Sequence, residues 1–409
     1  MDHLVSRALL FVVLPALFVP SLSSAERDAL AISARIRDVH LTHDIVLDPM
    51  FASATSQTVI GYTRCGDSAL WTGHYLAAEA FRYNVTRSPE ALELVVRALN
   101  GIRSLVDVTG TDLLARCLVP IASPHAAGMM REEAHHGIYT GSIGQLGYFW
   151  VGNTSRDQYS GAFFGLAAAY DLVEDAAVRA SVRELTGRLL GFLMRNNWVV
   201  AMPDGRISTV FWGRSDQQLS FLQVGRRADP ERFERTYKSH ALAYAWSVML
   251  PISLEVLDDH TSYFKFNLDA INLFNLIRLE DNSLFGRWYT SAYNILRRTT
   301  DDHGNAYFNM IDRALKGPDE ARDAQTRILL DEWLHRPLRD PFVDLRGVLP
   351  ACGEDRACAP IPVLQRVRTD FLWQRSPFLL YGGGEGNIET SGIDYILPYW
   401  MGRYYGTVE

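Results

Sequence analysis

The chain has 409 residues, 48% hydrophobic and 21% charged, with a formal net charge of −7. That length suits two average domains or one large toroid or barrel, and the apolar share is that of a globular protein with a substantial core. The acidic balance and the lack of any Lys/Arg-rich run exclude nucleic acid as partner, because phosphate binding needs a concentrated basic face.

The N-terminal stretch MDHLVSRALLFVVLPALFVPSLSSA carries one Arg, an apolar run from Ala8 to Pro20, and small residues at Ser23 and Ala25. This pattern predicts a secretory signal peptide over 1–25 and a mature chain, 26–409, that is secreted or periplasmic and forms one domain. The run is too short to cross a hydrocarbon core and Pro15 interrupts it, so no stable membrane insertion is expected after its removal. Four cysteines agree with an oxidising compartment. Among the three connectivities the economical one joins Cys65 to Cys117, which flank the first helical hairpin, and Cys352 to Cys358, which bracket the loop ACGEDRAC.

Residues 26–37 (ERDALAISARIR) read as an amphipathic helix. GDSALWTGHYLAAEAFRYNVTRSPEALELVVRALNGIRSLV, from Gly66 to Val106, reads as two helices. The first is apolar on nearly every side, and the second bears a single stripe at Leu92, Val95, Val96, Leu99, Ile102 and Leu105, so an inner helix is followed by an outer one. Residues 109–154 have no sustained helical period and are too long for an ordinary connection, which predicts a cleft-forming insertion. TSRDQYSGAFFGLAAAYDLV and EDAAVRASVRELTGRLLGFLMRN repeat the inner-then-outer pattern. Residues 198–235 give no helix signal and form a second insertion; TYKSHALAYAWSVMLPISLEVL is then a third inner helix bent by Pro251. YFKFNLDAINLFNLIRLE and HGNAYFNMIDRAL are the fourth and fifth, each with an outer partner, residues 337–386 are a Pro- and Cys-containing insertion, and SGIDYILPYWMGRYYG is the sixth.

Six inner helices, mostly followed by outer ones, predict an all-α fold: an (α/α)6 toroid of six helical hairpins whose long irregular loops form a cleft. WTGHYLAAEAFRY and NTSRDQYSGAFFGLAAAYDLV resemble segments of secreted bacterial proteins of the six-hairpin glycosidase superfamily. The resemblance extends over most of the mature chain and implies that fold together with an oligo- or polysaccharide substrate. It carries no catalytic motif over, so the chemistry rests on the residues themselves.

In such a toroid the N-terminal ends of the inner helices open on one face, where Asp67, Arg156, Asp157, His240, Asp269, His303 and Asp394 would meet. Glycoside hydrolysis needs two carboxyl groups, one protonated and one ionised, and Asp67 and Asp157 are the best pair because they begin adjacent inner helices. Asp394 is the third candidate catalytic carboxylate. For all three the competing expectation is a helix cap. His74, His240 and His303, with Arg64, Arg156 and Arg375, would instead suit a polysaccharide lyase or uronate epimerase, in which a His or Tyr base removes the proton beside a carboxylate. Trp71, Trp150, Trp212, Trp373 and Tyr395 are candidate stacking platforms for sugar rings. No cofactor motif occurs, and GGGEG at 382–386 lacks the Lys and strand of a phosphate loop. No metal is expected, since His125, Glu132, Glu133, His135 and His136 match no ligand spacing on one helix face. The sequence thus favours a secreted glycoside hydrolase, with a lyase or epimerase, or a non-catalytic glycan-binding toroid, as alternatives.

Overall fold

The computed structural model describes residues 23–257 and 262–409. All but the last three residues of the expected signal peptide therefore lie outside the described residues.

Helix α1 (Ser24–Arg35) starts at Ser23, whose hydroxyl accepts a hydrogen bond from the Glu26 amide at 3.2 Å. Strands β1 (Leu41–Thr42), β2 (Ile45–Val46), β3 (Asp48–Phe51) and β4 (Val59–Thr63) follow. Next comes the hairpin of α2 (Ser68–Thr86), buried almost all round, and α3 (Pro89–Asp107), buried along one stripe and capped by Ser88. Strand β5 (Cys117–Pro120), helix α4 (Ala126–Glu132) and strands β6 (Ile138–Ile143) and β7 (Leu146–Val151) precede the second hairpin, α5 (Arg156–Leu172) and α6 (Ala176–Arg195). Strands β8 (Val199–Ala201) and β9 (Ile207–Val210) lead to α7 (Ser215–Ala228), α8 (Pro230–Tyr244) and α9 (Met249–Glu255). Helices α10 (Phe264–Arg278), α11 (Ser283–Thr300), α12 (Ala306–Lys316) and α13 (Glu320–Leu334), strands β10 (Arg339–Asp344) and β11 (Tyr381–Glu389), and α14 (Ile393–Tyr405) complete the chain.

Four antiparallel sheets overturn the all-α expectation. They are the pairs β1–β2 and β8–β9, a three-stranded sheet ordered β5–β7–β6, and a four-stranded sheet ordered β10–β11–β3–β4. The strands occupy the segments without helical period, and a signal for one of them was present. IYTGSI and LGYFWV pair residue for residue from Ile138 with Val151 to Ile143 with Leu146. The two-residue loop between them begins with Gly144 at φ +59, the conformation that tight hairpins take from glycine. The fold is mixed: β4, β7, β9 and β11 each deliver the chain to the start of a buried helix, namely α2, α5, α7 and α14.

A second correction concerns which helices are inner. α7 is buried from Ser215 to Gly225 despite carrying Asp216, Gln217, Gln218 and Gln223, whereas the stretch expected as the third inner helix forms α8, a 3-10 turn and α9 on the outside, with Leu254 70% and Leu257 78% exposed. Polar residues masked the burial of α7, and the apolar stretch is only half covered. The buried helices α2, α5, α7, α10, α12 and α14 pack on one another in succession and α14 returns onto α2.

The closest approach is between α2 and α5, and glycines permit it. A Cβ on Gly73 would lie 2.0 Å from the Gly161 carbonyl oxygen, and one on Gly165 would lie 2.3 Å from that of Gly73. Only residues without side chains allow the two backbones to touch in this way. The contact draws together the first turns of α2 and α5, where Asp67 and Asp157 stand.

Candidate active site

A cleft of about 600 Å³ opens at the start of α2, α5 and α10, lined among others by Asp67, Asp157, Tyr263, Asp370, Gln374 and Arg375. Glu354, Asp355 and Arg356, from the loop closed by the Cys352–Cys358 disulfide, form part of its wall.

Asp67 ends a 3-10 turn, Cys65–Asp67, that is held from several sides. Cys65 is bonded to Cys117 at the start of β5. The Gly66 amide donates to Glu133 Oε1 at 2.8 Å, and the Gly66 carbonyl accepts from Arg116 at 2.8 Å and from Gln158 Nε2 at 3.2 Å. Arg64, just before the turn, is held left-handed at φ 59. This conformation is uncommon outside glycine and persists where the surroundings impose it. Asp67 stands at the N-cap position of α2, yet its side chain makes no capping hydrogen bond. α5 is capped by Ser155 with Gln158 in a reciprocal capping box, and Asp157 lies in its first turn. Asp67 thus serves as no cap and instead accepts from Gln158 Nε2 at 3.4 Å, whereas Asp157 turns back on its own amide and on Ser155 within the first turn of α5.

Burial is the main force on these acids. It pushes Asp67 up to about 7, aided by the negative charges of Asp370, Asp157 and Glu133 and opposed by Arg116, whose guanidinium lies 3.6 Å away. The Asp67 side chain still has 41% of its surface open to the cleft, and water there works against the rise. Burial raises Asp157 as well, with the cations of Arg116 and Arg156 pulling the other way. Arg116 is itself buried and donates to the Asn153 and Gly66 carbonyls, both at 2.8 Å, so a fixed positive charge sits behind the pair. Asp370 Oδ1 accepts from the Thr369 hydroxyl and from the Phe371 amide at 3.0 Å.

The remaining expected residues divide. Asp67, Asp157 and Arg375 line the cleft, and the Arg156 charge acts on Asp157. Arg64 stands behind, paired with Asp48 at 2.8 Å. His303 is a buried neighbour of the wall, its Nδ1 3.1 Å from the Tyr263 hydroxyl. His74 does not reach the cleft: it is fully buried among Trp71, Phe164, Tyr307 and Phe371, bonded to the Leu70 carbonyl at 3.0 Å, and burial lowers it to about 4, so it is a neutral core residue. His240 lies in a separate groove with Trp198, Trp212 and Tyr244. Asp269 is buried against Arg214 at 3.0 Å, in a cluster with Asp216 and Glu255. Asp394 is also buried; its Oδ2 accepts from the Leu372 amide at 3.0 Å and its charge faces Arg336 and Arg368. Trp373 gives its indole N–H to the Asp394 carbonyl, and Tyr395 stacks on Tyr399, so both are core aromatics rather than sugar platforms. Trp71 and Trp150 are likewise buried, stacked on Phe371 and Tyr139.

Sequence reasoning missed Asp370, Arg116, Tyr263 and the trio Glu354–Arg356. Arg116 adjoins Cys117, and Asp370 and the trio fall in the segment 337–386, so position marked them although no helix did. Both disulfides join the cysteines that their placement along the chain favours, and two such bonds fit an oxidising compartment. Among the described residues no helix is long and apolar enough to cross a membrane. Among them, the residues with ligand atoms grouped closely enough for a metal ion are Glu133, His135 and His136. Comparison of the chain with family models, with curated proteins and with solved structures finds no match.

Proposed function

We propose that this is a secreted or periplasmic glycoside hydrolase in which Asp67 is the general acid and Asp157 the ionised partner. The observation that carries this reading is the convergence of Asp67, Asp157 and Asp370 in one cleft, with Asp67 raised to about 7. A carboxyl group that still holds its proton near neutrality can protonate a glycosidic oxygen, while one backed by Arg116 and Arg156 can serve as base or nucleophile. With Asp67 protonated the lining still holds four other carboxylates, Asp157, Glu354, Asp355 and Asp370, against two cations, Arg356 and Arg375, which favours a neutral or amino-bearing glycan over a uronate polymer.

A second reading, a lyase or epimerase, draws on the Tyr263–His303 pair beside the same cleft. Burial pushes Tyr263 well above its ordinary value, which weighs against it as a base at neutral pH. The purified protein incubated with neutral, amino-bearing and acidic polysaccharides separates the readings. Hydrolysis releases reducing ends without ultraviolet absorbance, β-elimination releases an absorbing unsaturated sugar, and epimerisation exchanges a sugar C–H proton with solvent. Binding without any product would leave a non-catalytic glycan receptor and end the hydrolase reading.

A further inference from the structure

The segment Glu132–His136 was expected to hold no metal because its ligands share no helix face. It is not a helix: α4 ends at Glu132 and Ala134–His136 is a 3-10 turn. On that turn one ligand-capable atom from each of Glu133, His135 and His136 comes within 4.8 Å of the others, and the two imidazole centroids are 3.9 Å apart.

The hydrogen bonds define which ring nitrogens are available. His135 Nδ1 lies 3.2 Å from the Glu132 carbonyl, an acceptor, so Nδ1 carries the hydrogen and Nε2 the lone pair. His136 Nδ1 lies 2.7 Å from Glu133 Oε2, so it too donates and leaves its Nε2 free to bind. A histidine whose second nitrogen is anchored on a carboxylate or a backbone carbonyl is the arrangement that orients metal ligands and raises their basicity. Glu133 is in turn anchored: it is buried, and its other oxygen accepts the Gly66 amide.

We propose that His135 and His136 bind a first-row divalent cation of imidazole preference, such as Zn²⁺, through their Nε2 atoms, with Glu133 as the positioning residue and water completing the shell. Ligand atoms about 2.0–2.1 Å from a tetrahedral ion stand roughly 3.4 Å apart, the separation the two Nε2 atoms take up when the ion binds. His135 is exposed on the turn, so the ion reaches it from solvent. The ion ties the turn to Glu133 and, through it, to the Gly66 amide one residue before Asp67. Glu133 also contributes to the rise of Asp67, so the ion and the cleft share that one charge, while a zinc titration reads binding without reference to turnover.

The test is calorimetric titration of the full mature protein, stripped with chelator, with zinc chloride at pH 7.5, together with the thermal midpoint with and without zinc. One equivalent should bind with micromolar affinity and raise the midpoint, since a ligand that prefers the folded state stabilises it. His135→Ala and His136→Ala should each weaken binding at least tenfold, and Glu133→Gln by about 10- to 100-fold. His135→Ala alters an exposed side chain, so it keeps the test valid if Glu133→Gln unfolds the turn. Absence of saturable binding below millimolar zinc, or equal binding by wild type and both histidine variants, would overturn the proposal.

Discussion

Asp67→Asn should act in opposite directions on catalysis and on stability. The wild-type carboxyl group is raised from 3.8 in the unfolded chain to about 7 in the fold. The folded state therefore holds a proton that the unfolded state releases, and the stabilisation from that proton, present at pH 4, is lost as pH climbs to about 7. Without solvent screening the loss would be roughly 4 kcal/mol; with 41% of the side chain open to cleft water it is discounted to about 1–2 kcal/mol. Asn cannot ionise, keeps the size of Asp and breaks no capping bond, because Asp67 makes none. The variant should thus be more stable than wild type at pH 8 by about 1–2 kcal/mol, and indistinguishable from it at pH 4. Turnover should fall by about 10²- to 10⁴-fold, because the proton donor is gone. Urea unfolding at pH 4, 6 and 8, paired with turnover on the best substrate from the polysaccharide panel, measures both. Near wild-type turnover would refute the acid role, and a loss of stability at pH 8 would refute the account of burial.

Asp370→Asn removes a negative charge that raises Asp67, so the basic limb of the pH–rate profile should move to lower pH; an unmoved limb would separate the two carboxylates. Gly73→Ala places a methyl group 2.0 Å from the Gly161 carbonyl oxygen and must push α2 and α5 apart. A cost of about 1–3 kcal/mol in denaturant unfolding and a fall in turnover are expected, whereas an unchanged midpoint would mean the helices are less close than described. Replacing Cys65 and Cys117 together by Ser opens a 52-residue loop and should cost about 4 kcal/mol, against about 2 kcal/mol for the six-residue Cys352–Cys358 loop, as read from chemical unfolding of the two double variants.

The sequence by itself determined the helical hairpins wherever one stripe or one cap set them. Ser88, Pro89 and the stripe of α3 act within a single helix, and the glycines of α5 stand in plain view in SGAFFG. The cysteine placement did the same for the disulfides. Tertiary structure alone decided which helices lie inside. α7 buries Asp216 against Arg214, which also reaches Asp269 of α10, and Gln218 against His240 of α8, and no periodicity reveals a polar face that other elements will satisfy. The four-stranded sheet escaped for a related reason, since its pairing joins segments as remote as β3 and β11, whereas the β6–β7 hairpin was legible in its alternation and Gly144. At the cleft, Asp67 and Asp157 were legible as polar residues at helix starts, but so was Asp394, and nothing local distinguishes a carboxylate facing water from one facing Arg336 and Arg368 in the core. Only packing makes that distinction, because the same side chain is a proton donor or a buried counter-ion according to what the rest of the chain sets beside it.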